Sequence, residues 1–593
     1  MIDDNTEQDS ASVSPEDWAA RITQSVKERT KWYTRCKNIK KIFSDRRDGS
    51  PLSQDSRKFN ILWSNTQTIA PVLFSRLPEP VVLPREFIKQ NPDAEMASVA
   101  LKRSIESMIK ADGFDAAVKK IVLDYLLTSQ GIGWVTYEPE FGQYEGIEIK
   151  ISDSVKFNFV NYKDFLTNKA RTWDEVTWCA RKLELGKSAC QKYFPDLWPR
   201  IVYDDNGKAT VWEVWDKESG EQVFVAPDQI HKILKRGPVP IDFDGFFPCP
   251  EAILSNTDNE STIPVPDYIL YQDQADDLNK YTAAISRIGD ALKVRGTYLA
   301  SNEALSRLFD ENQDNVLVPT NTPMDQNPFQ FVPLDIFAQA AAQISLLKNQ
   351  CKQDIYEITG ISDVVRGASN PNETATAQNI KNQWGGLRIR DRQKSVQTFI
   401  RDAIRLMAEV IAEHFDPEFI NEMSGVQLND GALKILRDGA LRNFIIDVET
   451  DSTIEPDAQQ EKQDRAEFLQ AMASYLDTAT KISAQAPQLT PMLAKMVEFG
   501  LRAFPVGTEM QSRISQSLEQ LVQAKMQQLQ QPPPPSPEME KIKIDQFNAQ
   551  TNRMKATADA YLKTQELNSG LTRDAMAAMP LQPQLQEEQQ YVV

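Results

Sequence analysis

The sequence predicts a mostly helical α+β protein, and three observations support this fold class. Glycine accounts for only 23 of 593 residues, about 4% where average usage is roughly 7%, and a chain rich in Ala, Gln, Leu and Glu favours helices. Apolar residues recur every three or four positions in long stretches after residue 271, the period of an amphipathic helix. Between residues 130 and 250 they alternate instead, as in strands. At roughly 150 residues per domain, the length predicts about four structural units.

The N-terminal part combines a helix start with a basic segment. Ser14, followed by Pro15 and Asp17, has the pattern of an N-cap with proline at the first helical position. Residues 21–58 contain twelve Lys or Arg and four acidic residues, a local net charge of +8. Two interpretations stay open: a solvated helix face that packs on acidic neighbours, or a contact surface for DNA or an acidic partner subunit.

The central section predicts a β-hairpin. Residues 211–215 and 222–225 alternate apolar and polar side chains, and the turn between them contains Gly220. Residues 134–137 and 147–151 show the same alternation and predict further strands. This section is therefore expected to be the compact α+β part of the chain, with an aromatic core.

Three long helices are predicted after the central section. Their apolar positions are, in order, Tyr271, Ala275, Leu278, Ile285, Ile288 and Leu292; Ile344, Leu347, Cys351, Ile355 and Ile358; and Phe399, Ala403, Leu406, Val410 and Ile411. The third helix is expected from Thr376 to Phe415. Residues 296–335 separate the first two and contain short β-like pieces at 315–318 and 329–332. The simplest arrangement is an antiparallel helix pair joined by a small β/loop module.

The C-terminal part predicts helices interrupted by proline. Residues 532–535 are four consecutive prolines, which no helix can cross. Beyond them, apolar residues have the spacing of a coiled coil over little more than two heptads: Ile544, Phe547, Thr551, Met554, Ala558 and Tyr561. Such a helix is marginal alone, so this segment is a first indication of oligomerisation.

Net charge and cysteine content restrict the class of protein. The formal net charge of −18 argues against a phosphate-binding surface over the whole molecule, so any nucleic-acid contact must be local or weak. No run of 18 apolar residues and no secretory signal pattern is present, so we expect no contact with a membrane. The five cysteines are far apart and lack a C-x-x-C pair, which favours reduced, buried thiols in a cytoplasmic setting.

Motifs of common enzymes are absent from the sequence. It contains no P-loop, no G-x-G-x-x-G after a strand, no G-x-S-x-G and no H-E-x-x-H. His231 and His414 are the two histidines, and a structural role is favoured for each. Asp273, Asp276 and Asp277 resemble metal ligands, but consecutive helix positions point to different faces, so a solvated or subunit-facing side is the better interpretation. We therefore expect no catalytic residue, no cofactor and no metal.

One further basic cluster lies on the third predicted helix. It contains Lys381, Arg388, Arg390, Arg392 and Lys394. Lys381, Arg388 and Arg392 fall on roughly one side of the helix. That side could contact phosphate or an acidic neighbour, and the latter is favoured slightly.

Several motifs together resemble the portal (head-to-tail connector) proteins of tailed double-stranded DNA bacteriophages, in particular the podovirus-type branch. The central ones are ITGISDVVRG at 358–367, NETATA at 372–377 and QWG at 383–385. The supporting ones are NILWSN at 60–65, SRLPEP at 75–80, the hairpin at 212–225, FFPCP at 246–250 and IPVPDY at 263–268. They occur in the expected order over residues 20–450.

The resemblance implies the portal fold, with a wing, stem helices, a β/loop clip, a tunnel loop, a helical crown and a C-terminal helix. The implied segments, in chain order, are a flexible N-terminal tail (1–15), the wing (16–258), a stem helix (259–295), the clip (296–335), the second stem helix (336–359), the tunnel loop (360–377), the long wing helix and its return (378–450), the crown (451–531), and a proline-rich linker with a C-terminal barrel helix or flexible tail (532–593).

The resemblance also implies a function and partners. Portal proteins form a ring of usually twelve copies at one capsid vertex, assembled in the host cytoplasm, through which double-stranded DNA enters and leaves. The implied partners are the terminase large subunit, tail adaptor or head-completion proteins, and capsid and scaffolding proteins. An acidic lumen would let DNA slide.

The tunnel loop would face the DNA. Its expected contacts are Arg366, Asn370 and Asn372, with Gly360 and Gly367 as hinges. For Arg366 the alternative is pairing with Asp363 or Glu373 of a neighbouring copy. Two other functions stay open at this stage: a nucleic-acid-processing enzyme that uses carboxylates and Mg²⁺, and a coiled-coil scaffold without DNA.

Overall fold

The computed structural model describes residues 13–45, 57–111, 113–144, 147–226, 233–291, 296–298, 329–331, 334–361, 375–449, 458–485 and 490–501, with single residues and pairs between 514 and 556. The chain divides into two units, Met1–Phe468 with Pro505–Gln511, and Leu469–Phe504 with Ser512–Val593. Helices account for 58% of the described residues, and strands occur between the helices along the chain. The predicted mostly helical α+β class is therefore confirmed.

The helices span from 4 to 40 residues. In chain order they are α1 (Pro15–Ser44), α2 (Ile61–Leu73), α3 (Pro92–Lys110), α4 (Phe114–Thr128), α5 (Lys187–Tyr193), α6 (Asp267–Leu270), α7 (Gln272–Ala291), α8 (Leu334–Thr359), α9 (Ala375–His414), α10 (Pro417–Ser424), α11 (Asp430–Arg437), α12 (Ala440–Asn443), α13 (Ala458–Gln485) and α14 (Thr490–Leu501).

The described strands form one five-stranded sheet and several two-stranded pairs, and all pairings are antiparallel. The spatial order in the large sheet is Ile233–Pro238, Glu221–Val225, Lys208–Asp216, Trp178–Gly186 and Phe165–Thr167. The strands are β1 (Pro80–Pro84), β2 (Gln130–Gly131), β3 (Gly133–Tyr137), β4 (Glu140–Tyr144), β5 (Ile147–Ser152), β6 (Val155–Phe159), β7 (Phe165–Thr167), β8 (Trp178–Gly186), β9 (Lys208–Asp216), β10 (Glu221–Val225), β11 (Ile233–Pro238), β12 (Ile253–Leu254), β13 (Gly296–Tyr298), β14 (Phe329–Phe331) and β15 (Phe444–Val448).

Helix α1 begins where the sequence predicts. The Ser14 hydroxyl accepts a hydrogen bond from the backbone N–H of Asp17 (3.1 Å), and Pro15 occupies the first helical turn. The helix packs its apolar side on the five-stranded sheet, where Trp18 is fully buried and its ring meets that of Trp178 edge to face at 5.9 Å. Burial of side chains of this size contributes about 2–3 kcal/mol each. Residues 1–12 of the predicted tail lie outside the described residues.

The predicted hairpin is confirmed as β9 and β10. Asp216 pairs with Glu221 at the turn, and Trp212 pairs with Val225 at the other end. Gly220 adopts a φ of +69°, which favours glycine, and its N–H donates to the Asp216 carbonyl (2.9 Å). The strands expected at 134–137 and 147–151 are also present, as β3 and β5.

The predicted long helices are present, but one of them is interrupted and the buried side of another differs from the prediction. The helix expected from Tyr271 is interrupted there, since α6 ends at Leu270 and α7 starts at Gln272. In α8 the predicted apolar stripe is only partly covered, because Cys351 and Ile355 are buried whereas Leu347 is 47% exposed. The predicted strand at 315–318 lies outside the described residues, but β14 occurs at the other predicted position and pairs with β13.

Helix α9 forms the centre of the largest core. The five apolar residues predicted for its inner side are all buried: Phe399, Ala403, Leu406, Val410 and Ile411. Its partners include α3, β3, β6 and β15, and β15 pairs with β1 from the far N-terminal side of the chain. All five cysteines are buried and unpaired, as the sequence predicts.

In the second unit, the hydroxyl of Tyr475 on α13 donates to the Leu493 carbonyl on α14 (2.8 Å).

Candidate functional site

The candidate site lies where the end of α8 and the start of α6 meet the middle of α9. The N-terminal end of α7 packs against the C-terminal end of α8. Ala275 and Leu278 of α7 share one buried cluster with Cys351 and Ile355 of α8, and the Cys351 thiol donates to the Gln274 carbonyl (3.1 Å). The two helices are therefore antiparallel at this end, and residues 360–374 follow directly.

A single carboxylate joins several elements beside this helix pair. Asp267, the first residue of α6, accepts a 2.6 Å hydrogen bond at Oδ2 from Nη1 of Arg392 on α9. Its Oδ1 accepts from the hydroxyls of Ser129 (3.4 Å) and Ser255 (3.3 Å) and from the Asn256 amide. The helix N-terminus also favours a negative charge here. We call this group, Asp267 with Arg392, Ser129, Ser255 and Asn256, the Asp267 cluster.

The charges of the Asp267 cluster are matched inside the chain. The side chains of Arg392 and Asp267 are only 24% and 18% exposed. Burial by itself lowers the pKa of the Arg392 guanidinium, but the adjacent Asp267 charge outweighs it and the net shift is upward. Arg392 therefore keeps its charge, and the pair fastens the start of α6 to the middle of α9.

Arg388, one helical turn before Arg392, closes the end of α8. Its Nη1 donates to the carbonyls of Glu357 (3.4 Å) and Ile358 (3.2 Å), which a helix terminus leaves without intrahelical partners. Gly360 follows with a φ of +73°, and its N–H donates to the Tyr356 carbonyl (2.8 Å). Glycine in the left-handed region and a cation at the C-terminus are both common ways to end a helix.

A cavity of about 270 Å³ lies between these groups. Arg388, Arg392, Asp267 and Asn256 contribute polar atoms to its wall, and Leu62 is among its apolar residues. Since both guanidinium groups already bond to partners in the chain, the arrangement is suited to holding elements together. It joins the end of α8 and the start of α6 to the middle of α9.

The structure brings together only some of the residues that the sequence singles out. Gly360, Arg388 and Arg392 meet at this joint. Arg392 pairs with an acidic residue, the favoured alternative for the basic cluster, although the partner belongs to the same chain. The remaining predicted residues, Arg366, Gly367, Asn370 and Asn372, lie outside the described residues, as does the side chain of Lys381.

Sequence reasoning missed the Asp267 cluster. Asp267 lies in the IPVPDY motif that carries part of the resemblance, but nothing local links it to Arg392, 125 positions away. Ser129 and Asn256 are turn residues with φ values of +62° and +51°. The one available signal in the sequence was Asp267 itself, a polar residue that follows two prolines where a helix starts.

Other candidate groups for chemistry have structural partners. Asp277 on α7 pairs with Lys280 (2.8 Å). His414 stacks on the Tyr137 ring at 5.3 Å, and burial lowers the pKa of its imidazole although the Glu413 charge acts in the opposite direction. Within the described residues, no group of three or more His, Cys, Asp or Glu is arranged to hold a metal ion. His231 lies outside them.

Replacement of Gly360 by Ala is expected to destabilise the first unit by about 1–2 kcal/mol, the cost of a left-handed non-glycine residue. The new Cβ would also lie 2.9 Å from Arg388 Cδ, so the Arg388 side chain would have to shift beside the α8 carbonyls. Chemical unfolding followed by tryptophan fluorescence measures the change, because all ten tryptophans belong to this unit. Gly289→Ala in α7 is the matched control: a Cβ there meets nothing within 4 Å. Equal effects of the two variants would contradict the prediction.

No family model fits the sequence, and no curated protein is significantly similar to it. Among the helices of the described part of the chain, none is both long enough and apolar enough to cross a membrane.

Proposed function

We propose that this chain is the portal protein of a tailed double-stranded DNA phage. About twelve copies would form a ring at one vertex of the capsid, assembled in the host cytoplasm and retained in the virion. DNA would be packaged and ejected through the ring. The terminase large subunit and later tail adaptor or head-completion proteins would dock on it, and capsid and scaffolding proteins would surround it.

The order of elements from α7 to α9 is the observation that carries the proposal. Helices α7 and α8 are antiparallel where they pack. The residues described between them form a strand pair, in which Gly296 of β13 faces Phe331 of β14. The elements follow one another as a helix, a β module, a returning helix, a connecting segment and a 40-residue helix. A portal protein is expected to have the same order: a stem helix, the clip, the second stem helix, the tunnel loop and the long wing helix.

The outer surface of α8 supports an assembly of several copies. Ile336, Leu346 and Leu347 are 65%, 70% and 47% exposed. Large apolar side chains grouped on one exposed helix are typical of a surface that another molecule covers. In the proposed ring this molecule is the neighbouring copy.

The charge of the chain also suits a conduit. About twelve copies at −18 each carry roughly 200 negative charges, whereas a pore lined with Lys and Arg would hold DNA by counterion release. Arg388 and Arg392 are engaged inside the chain, so they add little to such binding. An acidic ring would let the genome slide while a partner motor supplies the energy.

Electron microscopy of the purified protein tests the proposal. We expect rings in negative stain, and we expect them to persist when residues 544–561 are deleted, because stem and wing contacts would hold them. A persistent monomer under all assembly conditions would contradict the proposal, and loss of rings on that deletion would favour a coiled-coil scaffold. Reproducible DNA cleavage with Mg²⁺ that a single Asp substitution abolishes would favour an enzyme.

A substitution in the proposed tunnel loop distinguishes a role of this segment in DNA packaging from a role in ring assembly. Gly367→Val should leave rings intact and impair genome packaging or retention, because a β-branched residue restricts a segment that must change its backbone angles near DNA. The number of DNA-filled particles and the fraction of rings are measured together. Loss of rings themselves would assign Gly367 a structural role.

A further inference from the structure

The outward face of α1 carries a stripe of cations that the fold does not use. Its members are all exposed: Lys27, Lys31, Arg35, Lys37 and Lys41. No ion pair or side-chain hydrogen bond of any of the five occurs within the described part of the chain. We call these residues the α1 stripe.

The inward cations of the same helix behave differently. Arg29 is 3% exposed and donates to the Thr167 hydroxyl (2.8 Å), and Lys40 pairs with Asp124 (2.5 Å). These two residues hold α1 against β7 and α4. The local excess of positive charge in the sequence therefore divides into cations that stabilise the fold and cations that face solvent.

Helix geometry makes the α1 stripe continuous. At 100° per residue the five side chains occupy about 160° of the circumference, and from Lys27 to Lys41 they extend over about 21 Å. Duplex DNA presents about six phosphates on one strand over that length. One carboxylate, Glu28, borders the stripe, and the Gln24 amide donates to it (2.8 Å).

The side chains between the cations indicate the kind of partner. Thr30, Thr34 and Asn38 are small, polar and exposed, whereas protein interfaces are enriched in aromatic residues and depleted in Lys. Large apolar residues occur only near the ends of the stripe, at Val26 (37% exposed) and Ile42 (40%). A surface that is rich in Lys and lacks an apolar anchor suits a phosphate backbone better than a protein.

We propose that the α1 stripe binds the phosphate backbone of duplex DNA, independently of sequence and separately from the tunnel loop. The choice of DNA rests on the proposed function, since a portal protein works next to the genome. The stripe would give an otherwise acidic protein one local DNA contact, which weakens as the salt concentration rises.

The test uses the full-length protein and a covalently closed circular duplex, which cannot thread a ring. Binding is measured by gel shift from about 50 to 200 mM salt, the range in which counterion release changes affinity strongly. The test variant is Lys27→Gln, Lys31→Gln, Lys37→Gln and Lys41→Gln combined. The control combines Lys120→Gln, Lys192→Gln, Lys217→Gln and Lys434→Gln, which are exposed and change the net charge equally.

We expect wild type and control to bind the circle, and the test variant to bind at least about tenfold more weakly. Its plot of log affinity against log salt should be shallower by at least about 3, because four phosphate contacts are lost. Tryptophan fluorescence checks that each variant is folded.

Three results would overturn the proposal: no binding by wild type, equal binding by wild type and test variant, or an equal loss in the control. A test variant that binds DNA normally but no longer forms rings would overturn it too and identify a protein contact. Rings are scored by electron microscopy on the same samples. DNA binding through the stripe without rings would support this inference and contradict the proposed function.

Discussion

Replacement of Glu409 by Gln is expected to stabilise the first unit by about 3 kcal/mol above pH 8 and to leave it nearly unchanged near pH 4.5. Glu409 lies on α9 and is only 9% exposed. Its Oε2 accepts from the backbone N–H of Asp244 (2.7 Å), whereas its Oε1 is buried and has no hydrogen-bond partner. Burial raises the pKa of this carboxyl from 4.5 to about 7, and the nearby charges of Asp244, Glu413 and Asp242 act in the same direction.

The sign of the pH dependence follows from that shift. Because the folded protein holds this proton more tightly than the unfolded chain, the contribution to stability is fully present below pH 4.5 and is lost as the pH rises through about 7. A shift from 4.5 to about 7 corresponds to about 3 kcal/mol. Gln keeps the size of the side chain and can still accept from Asp244, but it carries no charge to bury.

Chemical unfolding at pH 5 and pH 8, followed by tryptophan fluorescence, checks this prediction. The quantity of interest is the difference between variant and wild type, since other groups titrate in both proteins. Glu413→Gln is the matched control: it lies one turn further along α9, and its side chain is 47% exposed. A gain of the same size for both variants, or a gain for Glu409→Gln that does not change with pH, would show that the prediction is wrong.

Replacement of Asp267 by Asn is expected to destabilise the first unit by about 3 kcal/mol. Removal of one partner leaves the other charge without compensation, and for buried pairs this costs about 3–5 kcal/mol. The lower end applies because Arg392 and Asp267 retain 24% and 18% exposure. Asn would also no longer offer two acceptor oxygens to the Asp267 cluster.

A double-mutant cycle separates the pair from its surroundings. Arg392→Gln alone should cost a similar amount, and the double variant should cost clearly less than the sum of the two. Asp277→Asn is the control, since its pair with Lys280 is exposed and such pairs contribute less than about 1 kcal/mol. Strict additivity of Asp267→Asn and Arg392→Gln would mean that the two residues act independently.

Features set by neighbouring residues could be predicted from the sequence. The start of α1 depends on Ser14, Pro15 and Asp17, which lie within four positions of each other. The β9–β10 hairpin depends on alternation around Gly220, and the inner side of α9 depends on apolar spacing alone. Each is a local pattern whose physical cause lies in the pattern itself.

Features set by contacts between distant parts of the chain could not be predicted. Strand β1 pairs with β15, so Pro80 meets Val448, and Asp267 meets Arg392. Charge and polarity show that such groups need partners, but not which ones. The prediction of one buried apolar side on α8 was only partly correct for the same reason. The spacing places Leu347 on the same side as Cys351 and Ile355, yet α7 covers only the latter two and leaves Leu347 exposed within this chain.

The path of α1 has a consequence for aggregation. The open edge of a sheet can recruit a strand from another molecule. At one edge, Ser25 of α1 donates to the Thr167 carbonyl on β7 (2.8 Å), a backbone group that another strand could otherwise use. At the other edge, β11 carries Lys235 and Pro238, both exposed, which discourage pairing. A chain shortened beyond Ser25 would therefore lose the cover of β7 and should form intermolecular β-structure.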